Sequence, residues 1–315
     1  MTLGLLPARG RTLASLDART ATDAQAYAES FDVVDLAADP RAARDCLVIR
    51  VMNLNGVRPA LWAKVRWGTP YVLQLGYDHA DLARLYGRRT RALAWRALRT
   101  AACFGAAGII VSAEGLARRW RLRQRFPHVP LRVIPNGVDL MRFWPGPRPD
   151  PLRVIVAGRL APEKNLLALV EAAAGLGATL EFVGDGPLRQ EIAAAARRHG
   201  VVCFLPGHVS YEEVASRMGR AGVFALPSFS EGSPKALFEA MASGLRCVVS
   251  DRVPDVERMP IVRCGVDAAS IGAALRQALA GPDLGPDARA YAEQHHDLRQ
   301  TLAQEIAFVR EVAGL

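Results

Sequence analysis

From residue 153 to residue 250 the chain alternates short runs of branched apolar residues with segments of helical periodicity, a pattern that restricts it to a parallel sheet covered by helices on both faces. The spacing predicts strands at 153–157, 179–183, 202–205, 223–226 and 246–250. Between them it predicts helices at about 163–174, 187–199 and 211–221, and another after Pro234. These elements describe a Rossmann-like domain. Just before them, PGPRPDP at 145–151 has four prolines in seven residues, which suits neither a helix nor a central strand and reads as a linker.

The first half is less regular but of the same kind, with strands expected at 2–6, 32–36, 46–51, 71–75 and 108–111. VIPNGVD at 133–139 reads as a short strand ending in an Asn-Gly turn. A chain of 315 residues exceeds a usual single domain, so the division expected is 1–146 and 147–315. A final helix at about 298–312 is expected to return across the linker to the first domain. In two such domains flanking a cleft, ligands would lie at the carboxyl ends of the strands.

Net charge is +9 and unevenly spread: residues 1–147 hold 22 Lys and Arg against 11 Asp and Glu, and residues 148–315 hold 18 against 20. The basic excess gathers at 84–99, RLYGRRTRALAWRALR, and at 118–125, RRWRLRQR. Leu85, Leu93, Trp95 and Leu98 lie among the first set of arginines. Two readings stand side by side: a helix resting on an anionic membrane surface, and a solvated basic helix whose apolar side faces the core. Nucleic acid is not expected as a partner, since no recognised binding module accompanies the charge. Cys46, Cys103, Cys203, Cys247 and Cys264 are scattered without a CxxC pair, which suggests neither disulfides nor zinc. The apolar runs at 3–6 and 101–113 are too short for a secretory leader or a membrane span, respectively. The expected location is the cytoplasm, with a peripheral position on the inner face of the membrane if the basic helix binds lipid.

Most of the chemistry is concentrated in FSEGSPKALFEAMASG at 229–244. Ser233 suits an N-cap and Pro234 the first helical position, so a helix should begin there, with Leu237, Ala240, Met241 and Gly244 on its buried face. Its free N–H groups and positive dipole end would sit at 231–235, a ready site for a diphosphate. Glu231 lies just outside that end and Glu239 about one and a half turns in, so one ligand could touch both carboxylates. The alternative is a loop charge and a solvated helix face.

Three glycine-containing turns follow earlier strands. AGRLAPEKN at 157–165 holds Gly158 and brings Arg159 and Lys164 to a strand end, where two cations could neutralise a diphosphate. FVGDGPLRQEI at 182–192 offers Gly184 and Gly186 for close backbone approach, without the GxGxxG spacing of a dinucleotide fingerprint. PGHVSYEEV carries His208, which suits either contact with a planar base or an ordinary loop position.

In this order and spacing, VIPNGVD, AGRLAPEKN, FVGDGP, GHV and LPSFSEGSPKALFEAMASG resemble the C-terminal domain of GT-B glycosyltransferases of the large retaining family four, also called glycosyl transferases group 1. The resemblance runs from Val133 to Asp251. It implies an α/β GT-B fold of two Rossmann-like domains facing across a cleft, and a sugar transfer from a nucleotide-diphosphate donor, UDP- or GDP-linked. By the same resemblance Arg159 and Lys164 bind the donor diphosphate, Glu231 faces the transferred sugar, and Glu239 holds the ribose hydroxyls. The segment Gly232, Ser233, Pro234 and Lys235 caps the distal phosphate with its amides. Retention in the family is explained by front-face attack, with the departing phosphate taking the acceptor's proton. No cofactor is implied beyond the nucleotide sugar as co-substrate, and no metal, because no DxD-type carboxylate cluster occurs.

The first domain departs from the family pattern. Its opening stretch, MTLGLLPARGRTL, offers only Gly4 and Gly10 in place of a glycine-rich loop, and the stretch before the third strand is short, so this domain is expected to be shortened. Where many members carry a histidine after the fourth strand, this chain has Leu75; Asp78 or His79 in the same loop are the acceptor-side candidates, unless both cap the next helix. The function implied is a retaining glycosyltransferase with a cell-envelope, polysaccharide or lipid-linked acceptor. The alternatives are a nucleotide-sugar-binding accessory subunit without catalysis and, last, a sugar-nucleotide epimerase.

Overall fold

The computed structural model describes residues 1–7, 11–15, 24–147 and 149–315 and divides into two compact units, Met1–Pro135 with Arg299–Leu315, and Asn136–Leu298. Gly10, and Arg148 in the proline-rich stretch, lie outside the described residues.

The first unit is a six-stranded parallel sheet of β1 (Thr2–Leu6), β2 (Asp32–Asp35), β3 (Val48–Val51), β4 (Tyr71–Leu75), β5 (Gly108–Val111) and β6 (Leu131–Val133), in the order β2-β1-β3-β4-β5-β6. Successive residues feed opposite faces. Ile49, Val51, Leu73, Ile109 and Val111 join one core, which the helix Arg58–Trp67 helps to build through Ala60 and Ala63. Leu3, Leu5, Val48, Val72 and Ile110 join the other, closed by Phe308 and Val309 of the helix Leu298–Ala313. On this second face Arg50 is buried in mid-strand, donating to Tyr27 Oη at 3.0 Å, Gln74 Oε1 at 2.9 Å and Glu305 Oε2 at 2.7 Å, so the last helix is anchored by charge as well as by apolar contact. β2 has four residues, and the chain passes from it to β3 through a 3-10 helix, Pro40–Asp45.

The second unit is a six-stranded parallel sheet of β7 (Asp150–Ala157), β8 (Thr179–Val183), β9 (Val202–Gly207), β10 (Ala221–Leu226), β11 (Arg246–Ser250) and β12 (Val262–Cys264), in the order β12-β11-β10-β7-β8-β9. This is the doubly wound nucleotide-binding order, in which the chain reverses direction between β7 and β10 and leaves a crevice at their carboxyl ends.

The division between units falls at Pro135/Asn136, ahead of the proline-rich stretch, because the intervening residues pack with the second sheet: Phe143 is fully buried there and Val138 bridges to Asp297. β7 starts at Asp150 and so takes in the end of the proline-rich segment. The Asn-Gly turn expected after this strand is not formed: β6 ends at Val133, residues 134–137 take no turn, and the Asn136 carbonyl accepts from His296 Nδ1 at 3.0 Å. The helix expected at 163–174 is a 3-10 turn, Pro162–Lys164, followed by Leu166–Ala172, with left-handed Asn165 between them. β12 and the helices Ala268–Ala280 and Gly285–His295 have no counterpart in the sequence reading. Among the described residues no helix is long and apolar enough to cross a membrane.

Candidate active site

The loops after β7 and β10 meet at the reversal point. Asn165, with φ 57°, turns its amide outward from the first loop to donate to the carbonyls of Pro227 at 3.1 Å and Val266 at 2.7 Å. Phe229 N donates to Glu163 O at 2.8 Å, and Ser250 Oγ donates to Ser228 O at 2.6 Å. Backbone ties on both sides thus fix the position of the 227–234 loop.

Within that frame, Glu231 Oε1 accepts from Lys164 Nζ at 2.6 Å and from Ser228 Oγ at 2.7 Å. Glu231 is 5% exposed, which removes the reading of it as a solvated loop charge. Among the described residues its second oxygen takes no hydrogen bond. Arg159 Nη2 donates to buried Glu163 Oε1 at 2.6 Å while its own side chain stays 62% exposed, so the guanidinium stands at the strand end and faces solvent.

Glu239 is also buried, at 1%, on the helix Lys235–Ala242, and its Oε1 accepts from Tyr211 Oη at 2.8 Å. The helix start differs from expectation. Pro234, with ψ 105°, occupies the cap position itself; Lys235 opens the helix and no side chain caps it. Ser233 therefore does not serve as N-cap. Among the described residues its buried Oγ has no partner, and its carbonyl accepts from Asn136 Nδ2 at 2.7 Å. Gly244 likewise leaves the buried face and closes the helix with φ +71°. Gly232 is buried beside Glu231.

The glycine turns serve backbone packing. A Cβ on Gly184 would lie 2.1 Å from Gly158 O, and one on Gly186 2.4 Å from Leu160 O, so the loops after β7 and β8 touch main chain to main chain. His208 is exposed on the loop after β9. A histidine that the sequence reading passed over, His296, supports the site from behind: its ring stacks on Phe238 at 3.6 Å. Burial pushes its pKa down to about 4, against the raising effect of its bond to Asn136 O.

In the first unit, Asp78 and His79 both have structural partners. Asp78 caps the helix His79–Leu85 through the amides of Ala80 and Asp81 and accepts from Trp120 Nε1 at 2.7 Å. His79 Nε2 lies 3.2 Å from Asn53 Oδ1, and its ring stacks on Trp95. Burial lowers the His79 pKa. The basic run at 84–99 starts in the end of the helix His79–Leu85 and is helical again from Arg89, with Trp95 and Leu98 packed against the core and Leu93 exposed.

Residues 139–293 match the family described as Glycosyl transferases group 1, and the match covers nearly all of the second unit, Asn136–Leu298. The second unit belongs to the glycosyl transferases group 1 family. EpsF of Bacillus subtilis is 32% identical over 142 residues, covering 40% of this chain and 37% of its own. An Escherichia coli enzyme named UDP-Gal:alpha-D-GlcNAc-diphosphoundecaprenol alpha-1,3-galactosyltransferase is 31% identical over 143 residues, 38% of this chain and 36% of its own. The chain thus spans little more than a third of these relatives. Across both units, HepE of Anabaena, solved with UDP-glucose, superposes with a TM-score of 0.75 at 16% identity, covering 99% of each chain. Sucrose-phosphate synthase of Thermosynechococcus elongatus superposes at 0.74 and 20% identity, covering 85% of this chain and 74% of its own. These likenesses establish a GT-B fold, and the group 1 motifs coincide with the loops at the reversal point.

Proposed function

We propose that the protein is a retaining glycosyltransferase that moves a sugar from a nucleotide-diphosphate donor, UDP-linked in the first instance, to a glycan or lipid-linked acceptor. The observation that carries this reading is the partly buried Lys164–Glu231 contact at the carboxyl ends of β7 and β10, where the doubly wound order favours a nucleotide. Lys164 and exposed Arg159 would meet the diphosphate, and the uncapped start of the helix Lys235–Ala242, with Gly232 and Ser233, would accept its distal phosphate. Glu239 would take the ribose hydroxyls.

Glu231, held by Lys164 and Ser228 through one oxygen, with no bond to the other among the described residues, suits a stabilising role toward the sugar better than a nucleophilic one. In the reaction inferred, the bond from the anomeric carbon to the β-phosphate oxygen breaks, the acceptor oxygen bonds to that carbon on the same face, and its proton passes to the departing phosphate. The cations stabilise the charge that develops there. UDP as the nucleotide is supported by the UDP-glucose bound to HepE and by the UDP-Gal in the name of the E. coli relative; that name also supports a lipid-linked diphosphate acceptor. No metal or further cofactor is proposed.

One observation favours a second reading, a nucleotide-sugar-binding accessory subunit: Asp78 and His79 are both held by structural partners. Incubation with UDP-, GDP- and ADP-sugars and membrane extract separates the two. Nucleotide release from one donor, with the anomeric configuration kept in the product, is the expected result. Nucleotide binding by calorimetry without release from any donor would leave only the accessory subunit.

A further inference from the structure

The first unit contains a cavity of about 960 Å³ that none of the proposed donor residues lines. Its walls come from the helix Arg89–Gly105, the helices Glu114–Arg119 and Leu122–Arg125, and the helix His79–Leu85. Six arginines face it, Arg84, Arg96, Arg99, Arg119, Arg121 and Arg125, against two aspartates.

Both carboxylates are already engaged. Asp81 accepts from Arg84 at 3.0 Å and Arg119 at 3.3 Å, and Asp78 caps its helix while holding Trp120 and Arg99. Among the described residues no carboxylate pairs with Arg96, Arg121 or Arg125. Charge is thus left over inside a concave surface. Arg99 is also held in place: its guanidinium lies 4.5 Å over the Trp120 ring and donates to Asp78 at 3.4 Å. Burial, with Arg125 nearby, lowers the Arg99 pKa despite Asp78.

The other wall is apolar. Ala97, Ala101 and Phe104 follow one another along the Arg89–Gly105 helix, and Phe104 is 70% exposed. Guanidinium forks match phosphate oxygens, and the apolar strip beside them suits a hydrocarbon chain.

We propose that this cavity binds the phosphate or diphosphate of an amphiphile, with the arginines on the anion and Ala97, Ala101 and Phe104 along its apolar chain. Binding stands on this unit alone; its use as the acceptor pocket rests on the transferase reading. The same headgroup chemistry has two sources, a phosphorylated acceptor or an anionic lipid of a bilayer.

The test is calorimetry of the full chain with dodecyl phosphate below its micellar concentration, on the native protein, the Arg96→Gln/Arg125→Gln double variant and Lys164→Ala. Arg96 and Arg125 are exposed, and among the described residues the Arg125 side chain bonds to Thr100 and lies over the Phe126 ring, so the double variant should melt like the native protein. The expected result is a weakening of about tenfold or more in the double variant, as loss of charge-assisted bonds implies, with Lys164→Ala unchanged. Equal binding by native and double variant overturns the proposal, as does loss in Lys164→Ala alone. Cosedimentation with phosphatidylcholine vesicles containing phosphatidylglycerol assigns the source. Sedimentation lost in the double variant points to a bilayer headgroup, and dodecyl phosphate binding without sedimentation to a phosphorylated acceptor. A chain that releases no nucleotide yet passes the calorimetric test refutes the transferase reading and leaves this site standing.

Discussion

Lys164 Nζ and Glu231 Oε1 meet at 2.6 Å across 67 positions of sequence, and each belongs to a loop that the sheet order brings to the reversal point between β7 and β10. A cation held this way is aimed before any ligand arrives, and the carboxylate beside it cannot swing away.

Ser228→Ala tests the aim of Glu231. Ser228 is fully buried, and its hydroxyl is the other donor to Oε1, at 2.7 Å. Loss of one bond to a charged group, worth about 1.5–3 kcal/mol, should lower kcat about tenfold or more and leave the donor KM nearly unchanged. Steady-state kinetics checks this, and partial rescue in Ser228→Thr marks the hydroxyl as the cause.

Tyr211→Phe should give the opposite split. Tyr211 Oη donates to Glu239 Oε1 at 2.8 Å, so it positions the group assigned to the ribose and not the sugar-facing carboxylate. Donor KM should rise about tenfold while kcat holds, because binding that is uniform along the reaction moves KM alone.

Gly184→Ala and Gly175→Ala separate packing from backbone strain. Both glycines have positive φ, +133° and +74°, but a methyl at Gly184 would strike Gly158 O at 2.1 Å whereas one at Gly175 meets nothing within 4 Å. Thermal melts should show a loss of about 1 kcal/mol at Gly175, and about 3 kcal/mol or more, or failure to fold, at Gly184.

His296 should make the fold acid-sensitive. Its folded pKa of about 4 lies below the unfolded value near 6.5, so the unfolded chain binds more protons between those limits. The stability tied to neutral His296 is therefore complete above about pH 6.5 and lost as pH falls toward 4, by up to about 3 kcal/mol. Denaturant melts across that range should show a shallower acid limb in His296→Gln.

The sheet of the second unit was legible because buried parallel strands leave continuous apolar runs, as in VIVA before Gly158 and VFAL before Pro227. Lys164 and Glu231 could be assigned a shared role through their motifs, yet their direct contact depends on Asn165 reaching Pro227 and Val266, a tertiary tie with no local pattern. Ser233 looked like an N-cap because local preference favours it. Instead the Asn136 amide takes its carbonyl and Pro234 is held extended. His296 left no trace at all, since its role comes from stacking on Phe238 far along the chain. In the first unit Asp78 stood as a candidate only because it shares the loop where the family pattern has a histidine, with helix capping as the alternative, and no local signal could reveal that Trp120, 42 positions away, occupies one of its oxygens.

The most direct measurement is nucleotide release from the preferred UDP-sugar, with acceptor present, by the native chain, Lys164→Ala and Glu231→Ala, each confirmed as folded by its thermal melt. The native chain should release UDP, and both variants should fall by a factor of about 100 or more, as removal of a preorganised transition-state partner implies. Release by folded Lys164→Ala or Glu231→Ala at the native rate would contradict the assignment of this pair to the reaction.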